Sequence, residues 1–310
     1  MTKMHTKLIL ILVFCGFAAC SSSIDWLKFK RTYNKQYKSA AEEAKRKLIF
    51  FENVNRIRDY EHNHPNATFK LAINHLTDQR IQELVTPTKY FMELNPDNRQ
   101  SSLEMFDVPD SLDWRTKGVV SQVKDQGIEG RVEPVVAVEV IESWYAIQTK
   151  NLVAGSVARV DDCCDPQVNV FECITKLGGI CREVDYPSVT QQCLPKKCAP
   201  FTHFNKVMRL KTQSEDTMVT WIQNSTLFVG IDASRTSFQF YASGIYKDSS
   251  CSQTTVDHIL QLVGYGKTPS GDLYWICKNS WGTTWGEQGY IRVLRGQNVC
   301  GIASYVMQVA

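Results

Sequence analysis

The sequence predicts a globular, disulfide-bearing C-terminal domain behind a leader and a charged helical segment, and three observations predict it. The first is composition. Over 310 residues, 43% are apolar and 22% charged, an ordinary globular balance with room for about two domains and no case for wholesale disorder. The second is cysteine placement: of eleven cysteines, Cys15 and Cys20 lie near the start and the other nine fall between Cys163 and Cys300, so cross-links belong to the C-terminal part alone. The third is a helical apolar period confined to residues 24–80. The net charge of +3, from 35 basic and 32 acidic residues, is too balanced for a dedicated nucleic-acid binder.

The leader comes first in the chain. Lys3 and Lys7 precede an apolar run over residues 8–19, which at about 1.5 Å per residue spans roughly 18 Å against about 30 Å for a bilayer core. Ala18, Ala19 and Ser21 to Ser23 supply the small residues of a cleavage site, so residues 1–20 read as a signal peptide and not as an anchor. A lipid-modified Cys20 is the alternative, and Phe17-Ala18-Ala19-Cys20 matches it poorly. No other stretch is long and apolar enough to span a membrane, so no membrane partner is expected. The chain enters the secretory route, where disulfides persist.

In the helical segment, Trp26, Phe29, Tyr33 and Tyr37 recur every three to four residues and mark one face. A second helix is expected from Ala40 to His62, with Leu48, Ile49, Phe51, Val54 and Ile57 among charges, and the helical pattern extends to about Arg80. Its i, i+4 charges, such as Glu42 and Arg46, add only about 0.2–0.5 kcal/mol per pair. Lys45-Arg46-Lys47 reads as a solvated face with no targeting role. Residues 81–107 lose periodicity and gain Pro87, Asn95, Pro96, Asn98 and Gln100, the composition of an extended linker. The triplets at Asn66 and Asn224 are glycosylation sequons in a secretory context.

Glu42, Arg46, Phe50, Asn53 and Ile57 stand at intervals of 4, 4, 3 and 4. The series resembles the long propeptide helix of cathepsin-L-like zymogens of the papain family, with Glu61 where the family has a final Asn. Ala72-Ile73-Asn74-His75-Leu76-Thr77-Asp78 resembles the second propeptide motif, with Leu76 in place of an aromatic residue. Val108-Pro109-Asp110-Ser111-Leu112-Asp113-Trp114-Arg115 is similar to a mature papain-like N-terminus, and the resemblance continues almost to Ala310. Gln126 matches the side-chain donor of the oxyanion hole. His258 matches the catalytic imidazole, Asn279 the residue that orients it, and Trp281 the ring that shields their hydrogen bond.

The resemblance implies an α+β fold: a helical half and a β-barrel half with a cleft between them, over residues 108–310. A helical inhibitory propeptide and linker, residues 21–107, would precede it, the linker crossing the cleft backwards. It also implies a Cys251–Cys300 disulfide and a bridge from Cys193 to Cys163 or Cys164. Cys173, Cys181, Cys198 and the spare of the vicinal pair are left without partners, and Cys277 is expected as a buried strand thiol. No paired Cys-x-x-Cys spacing supports a metal site, and no cofactor is expected. The compartment implied is secreted or lysosomal.

The chemistry of such a site requires a thiolate beside the imidazole. The family places that cysteine six residues after the glutamine, and here the position is Val132. Residues 127–138 contain no Cys, Ser, Thr or Lys. Other departures surround the same cleft. Glu129 stands at a family half-cystine, Glu133 at a tryptophan, and Ile259 at a small residue that opens the specificity pocket. The family's Cys-Asn-Gly-Gly loop is not recognisable between Asp162 and Glu172. Loss of the nucleophile in the serine analogue costs about 2 × 10⁶ in kcat and leaves about 10³–10⁴ over water. The expected function is therefore a non-catalytic cleft that binds a protein or peptide. Two alternatives stand beside it: a propeptide acting in trans on a cathepsin-like peptidase, and a residual peptidase with an unrecognised nucleophile.

Overall fold

A computed structural model of the chain describes residues 25–85, 108–127 and 131–310. The expected signal peptide, the linker from residue 86 onward and Glu129 lie outside the described residues.

The N-terminal segment folds as two helices crossing through aromatic side chains. α1 covers residues 25–32 and α2 is Ala40–Asn63. Ser39 caps α2 by accepting from the Glu42 amide at 3.1 Å, while the Glu42 carboxylate accepts from the Lys38 amide at 2.7 Å; these contacts satisfy backbone donors at the helix start. Trp26, Phe29, Phe50 and Val54 form the crossing, with Tyr33, Tyr37 and Phe51 packed around it. The helical pattern expected to run on to Arg80 stops at Asn63. Pro65 follows, and a residue before proline is pushed out of the α region; His64 has φ −128° and ψ 59°. After this turn the chain forms strand β1, Phe69–Leu71. The linker also begins later than expected: Ile81–Glu83 is a 3₁₀ turn, and Ile81, Leu84 and Val85 are buried.

Eight strands follow: β2 Leu112–Asp113, β3 Val207–Arg209, β4 Leu227–Ile231, β5 Tyr241–Tyr246, β6 His258–Lys267, β7 Leu273–Lys278, β8 Tyr290–Leu294 and β9 Val306–Val309. The sheet order is β1-β5-β8-β7-β6-β4-β9-β3, with β2 on β6; pairing is antiparallel except between β5 and β8. The helices of this part are α3 Val132–Thr149, α4 Val157–Cys163, α5 Val170–Lys176, α6 Glu215–Ile222 and α7 Thr236–Gln239. α3 is apolar almost all round, as a helix covered on every side must be, and packs against β6, α4 and α5.

Two cores result. One lies in the sheet half, around Phe238, Tyr241, Trp275, Trp281 and Trp285, and also takes in Phe69, Leu71, Leu76, Ile81, Leu84 and Val85 of the N-terminal segment. The other lies under α3 in the helical half. Disulfides join Cys163 to Cys193 and Cys251 to Cys300. The cysteines left unassigned form two more bridges, Cys164–Cys173 and Cys181–Cys198, while Cys277 is a buried thiol whose pKa burial raises.

Candidate active site

The first turn of α3 faces the start of β6. Arg131 is the N-cap residue without a side-chain cap; its guanidinium instead donates to the Cys164 carbonyl at 2.8 Å. Val132 opens the helix, 6% exposed, in the same apolar cluster as Ile259 and Val256. Glu133 is half-buried and Pro134 buried. Proline is tolerated here because an amide in the first turn has no intrahelical acceptor.

His258, the first residue of β6, is fully buried. Asn279 Oδ1 lies 2.7 Å from its Nε2 and also accepts from the Ser280 amide at 2.8 Å. With an oxygen as partner, Nε2 carries the proton. Nδ1 is then left with a lone pair and no hydrogen-bond partner. The Trp281 ring lies 4.8 Å from the imidazole and Phe238 6.3 Å away. Burial in these apolar walls pushes the His258 pKa down to about 4, opposed by the Asn279 hydrogen bond. A neighbouring thiolate would favour the imidazolium, but the residue that opens α3 is Val132, whose side chain is apolar.

Gln126 is tied into the same corner. Its amide donates to the Ser280 carbonyl at 2.8 Å, its Oε1 accepts from Ser280 Oγ at 2.6 Å, and its Nε2 donates to the Leu84 carbonyl at 3.4 Å. The residue matched to the oxyanion donor thus holds a polypeptide carbonyl from the chain's own N-terminal segment. Ile259, fully buried, pairs with Gly230 across β6 and β4. The structure brings Gln126, His258, Asn279 and Trp281 together through Ser280 and the imidazole, and places Val132 in the apolar cluster of Ile259, the residue after His258. This corner retains an amide N–H that donates to a carbonyl and an imidazole oriented by Asn279, but Val132 has no acidic proton to give that base.

Sequence reasoning missed a second polar cluster deeper along α3. Glu139 Oε1 lies 2.8 Å from Lys278 Nζ, both side chains wholly buried, and Glu142 accepts from the Gly155 amide at 2.6 Å. Burial raises the pKa of both carboxyls, against the pull of Lys278 on Glu139. The signal lay in the sequence: the charges at positions 139 and 142 interrupt the long apolar run from Pro134 to Ile141 and its continuation. Among the described residues, no group of three or more His, Cys, Asp or Glu side chains is arranged to hold a metal ion.

The family model for papain family cysteine proteases matches residues 108–310, and that for the cathepsin propeptide inhibitor domain matches residues 26–84. Cathepsin S of Bos taurus is 33% identical over 308 residues, covering 90% of each chain. Digestive cysteine proteinase 3 of Homarus americanus is 33% identical over 315 residues, covering 94% of this chain and 96% of its own. Among solved structures, digestive procathepsin L 3 of the Tenebrio molitor larval midgut superposes with a TM-score of 0.79 at 30% identity, over 93% of this chain and 99% of that one. Matched nearly end to end by these relatives, propeptide included, the chain belongs to the papain family of cysteine proteases.

Proposed function

We propose that the chain is a non-catalytic member of its family that binds a protein or peptide in the cleft without cutting it. The observation that carries this reading is Val132 at the start of α3, where family chemistry requires a thiol beside His258. The neutral imidazole supports it, since the family mechanism works through a thiolate–imidazolium pair. The test is turnover of a broad fluorogenic peptide set from pH 4.5 to 7.5 by the chain, by His258→Ala and by Val132→Cys. The expected result is no turnover in the first two and measurable turnover in Val132→Cys, because Gln126, His258 and Asn279 already stand in place. Turnover by the parent chain that vanishes in His258→Ala would restore the residual-peptidase reading.

A second reading makes the N-terminal segment the active part, as an inhibitor of a cathepsin-like peptidase in trans. Its own aromatic core and its match to the propeptide inhibitor model favour that reading. Residues 21–107 added to a cathepsin-L-like peptidase should then inhibit it, and no inhibition at micromolar concentration removes the idea. We place the protein in the secretory pathway, secreted or lysosomal, with glycans on Asn66 and Asn224, both exposed. An unchanged mass after glycosidase treatment of the secreted chain would exclude the glycans.

A further inference from the structure

We infer that Glu139, Glu142 and Lys278 form a clasp between the helical half and the sheet half that closes in acid: the two carboxyl groups hold one proton between them at acid pH and give it up towards neutral pH, where the clasp loosens. The inference goes beyond the non-catalytic reading and does not depend on what the cleft binds.

The charges in the cluster do not balance. Glu139 and Glu142 stand three residues apart on α3, so both side chains leave the same face of the helix. Both are wholly buried, as is Lys278 on β7. Lys278 Nζ lies 2.8 Å from Glu139 Oε1 and donates to Ser121 Oγ at 3.2 Å. Glu142 accepts from the Gly155 amide at 2.6 Å, and Ser121 also faces it. One buried ammonium thus stands against two acids. Lys124 acts on both carboxyls, but it is partly exposed and its Nζ lies 3.3 Å from Glu183 Oε1, so solvent and another carboxylate already screen its charge. A buried charge without a partner takes up a proton and neutralises, and of two like charges sharing a site one ionises late. One proton, belonging to the pair and not to either residue, restores the balance.

The unused oxygens agree with that count. Glu139 Oε2 and Glu142 Oε2 are buried with no hydrogen-bond partner. A carboxylate oxygen in that position has lost its water and gained no donor, and protonation removes the charge that lacks one. The other elements around α3 bring no further charge to the cluster. Gln261 of β6 donates through Nε2 to the Glu139 carbonyl at 3.1 Å and to the hydroxyls of Ser143 and Thr226 at 2.9 and 3.0 Å. Tyr290 of β8 faces Glu139, and burial keeps it neutral, its pKa pushed up to about 12. Arg159 of α4 is turned to the Leu177 and Gly179 carbonyls, and Glu172 and Lys176 of α5 are exposed.

The sign of the pH effect follows. Burial raises the pKa of both carboxyls, against the pull of Lys278 on Glu139 and of Lys124 on Glu142. A carboxyl raised by folding contributes stability below its unfolded value of about 4.3, and that contribution is lost as pH rises through the folded value. The clasp is therefore firm in acid. At higher pH two buried anions oppose one cation, and α3 is held less tightly to β7 and to the turn at Gly155. Glu139 and Glu142 lie about 10 and 15 Å along α3 from Val132, so the helix that loosens is the one that carries the nucleophile position.

The test reads the proton and the clasp separately. Infrared difference spectra of the full chain between pH 5.0 and 7.5, with glutamate carbon-13 labelled, isolate the carbonyl band of a buried protonated glutamic acid from those of Asp161 and Asp257, whose pKa burial also raises. The band should stand at pH 5.0, fade by pH 7.5 and be missing from Glu142→Gln, which leaves one carboxylate to one ammonium. A parent chain without the band at pH 5.0, or with the band unchanged at pH 7.5, overturns the inference. Hydrogen exchange, with labelling times scaled to the intrinsic rate at each pH, follows the segments around Gly155 and β7. They should exchange severalfold faster at pH 7.5 than at pH 5.0 in the parent, and that difference should be lost in Glu142→Gln. Equal exchange in the parent, or a difference that survives the substitution, overturns the clasp. The parent spectra need no variant, so the proposal stays testable if Glu142→Gln does not fold. Neither readout involves turnover or a bound peptide, so its outcome is separate from that of the non-catalytic reading.

Discussion

Burial moves His258 and its chain neighbour Asp257 in opposite directions. The imidazole falls to about 4 for want of water or an anion, and the Asp257 carboxyl rises to about 6, burial outweighing the hydrogen bond it accepts from the Ala233 amide. A histidine whose folded pKa is depressed contributes stability above its unfolded value of about 6.5, lost as pH falls towards 4. A carboxyl whose folded pKa is raised contributes stability below about 3.9, lost as pH rises towards 6. Between about pH 4 and 6 the two groups therefore oppose each other. Relative to the parent chain, His258→Gln should leave a Tm that falls with rising pH in that window, and Asp257→Asn a Tm that falls with decreasing pH. Difference slopes of the same sign in both variants would dismiss the account. The motifs around Val132 and His258 are short and local, which is why the sequence could nominate these two positions. The charge state was not legible, because it depends on Trp281 and Phe238 closing over the ring.

At the scale of elements, α3 carries a polar cluster where a helix of its composition should carry none. Lys278 reaches from β7 to Glu139 on α3, and its ammonium also donates to Ser121 Oγ at 3.2 Å. Removing one partner of a buried pair strands the other charge, at a cost of about 3–5 kcal/mol, whereas replacing both by apolar residues of similar volume is often near neutral. Lys278→Met should therefore lower stability by about 3–5 kcal/mol in denaturant titrations, and the double variant Glu139→Leu/Lys278→Met should recover most of it. A double variant as unstable as the single one would show that the cluster does more than neutralise itself. The same scale shows what sequence reading reached. α2 was legible almost to its last residue, since its 3.6-residue period is local. The extension to Arg80 failed at Pro65, where φ/ψ preference overrides an apolar rhythm. Cys164–Cys173 and Cys181–Cys198 were not readable, because connectivity depends on which loops meet in space. Glu139 and Lys278 meet from positions far apart in the chain, so no spacing announces them.

For the whole molecule, the N-terminal segment and the sheet half share one apolar cluster. Phe69 is the clearest joint: 3% exposed, its ring lies 4.8 Å from Tyr246 and 5.8 Å from Tyr60, so it touches both sides of the seam. Units that bury their apolar surface in each other unfold together, and units that merely touch unfold apart. The intact chain should therefore give one calorimetric transition, with calorimetric and van't Hoff enthalpies in agreement. Phe69→Ala removes a buried ring at a typical cost of about 3–5 kcal/mol. That loss falls on the joint and spares the aromatic crossing of α1 and α2, so it should split the transition, the N-terminal segment melting first. Tryptophan fluorescence can follow the split because Trp26 lies in the segment and Trp275 in the sheet. Two transitions already present in the parent chain would mean that the shared core does not couple the parts. The segment would then be a cover resting on the domain and not a layer of it.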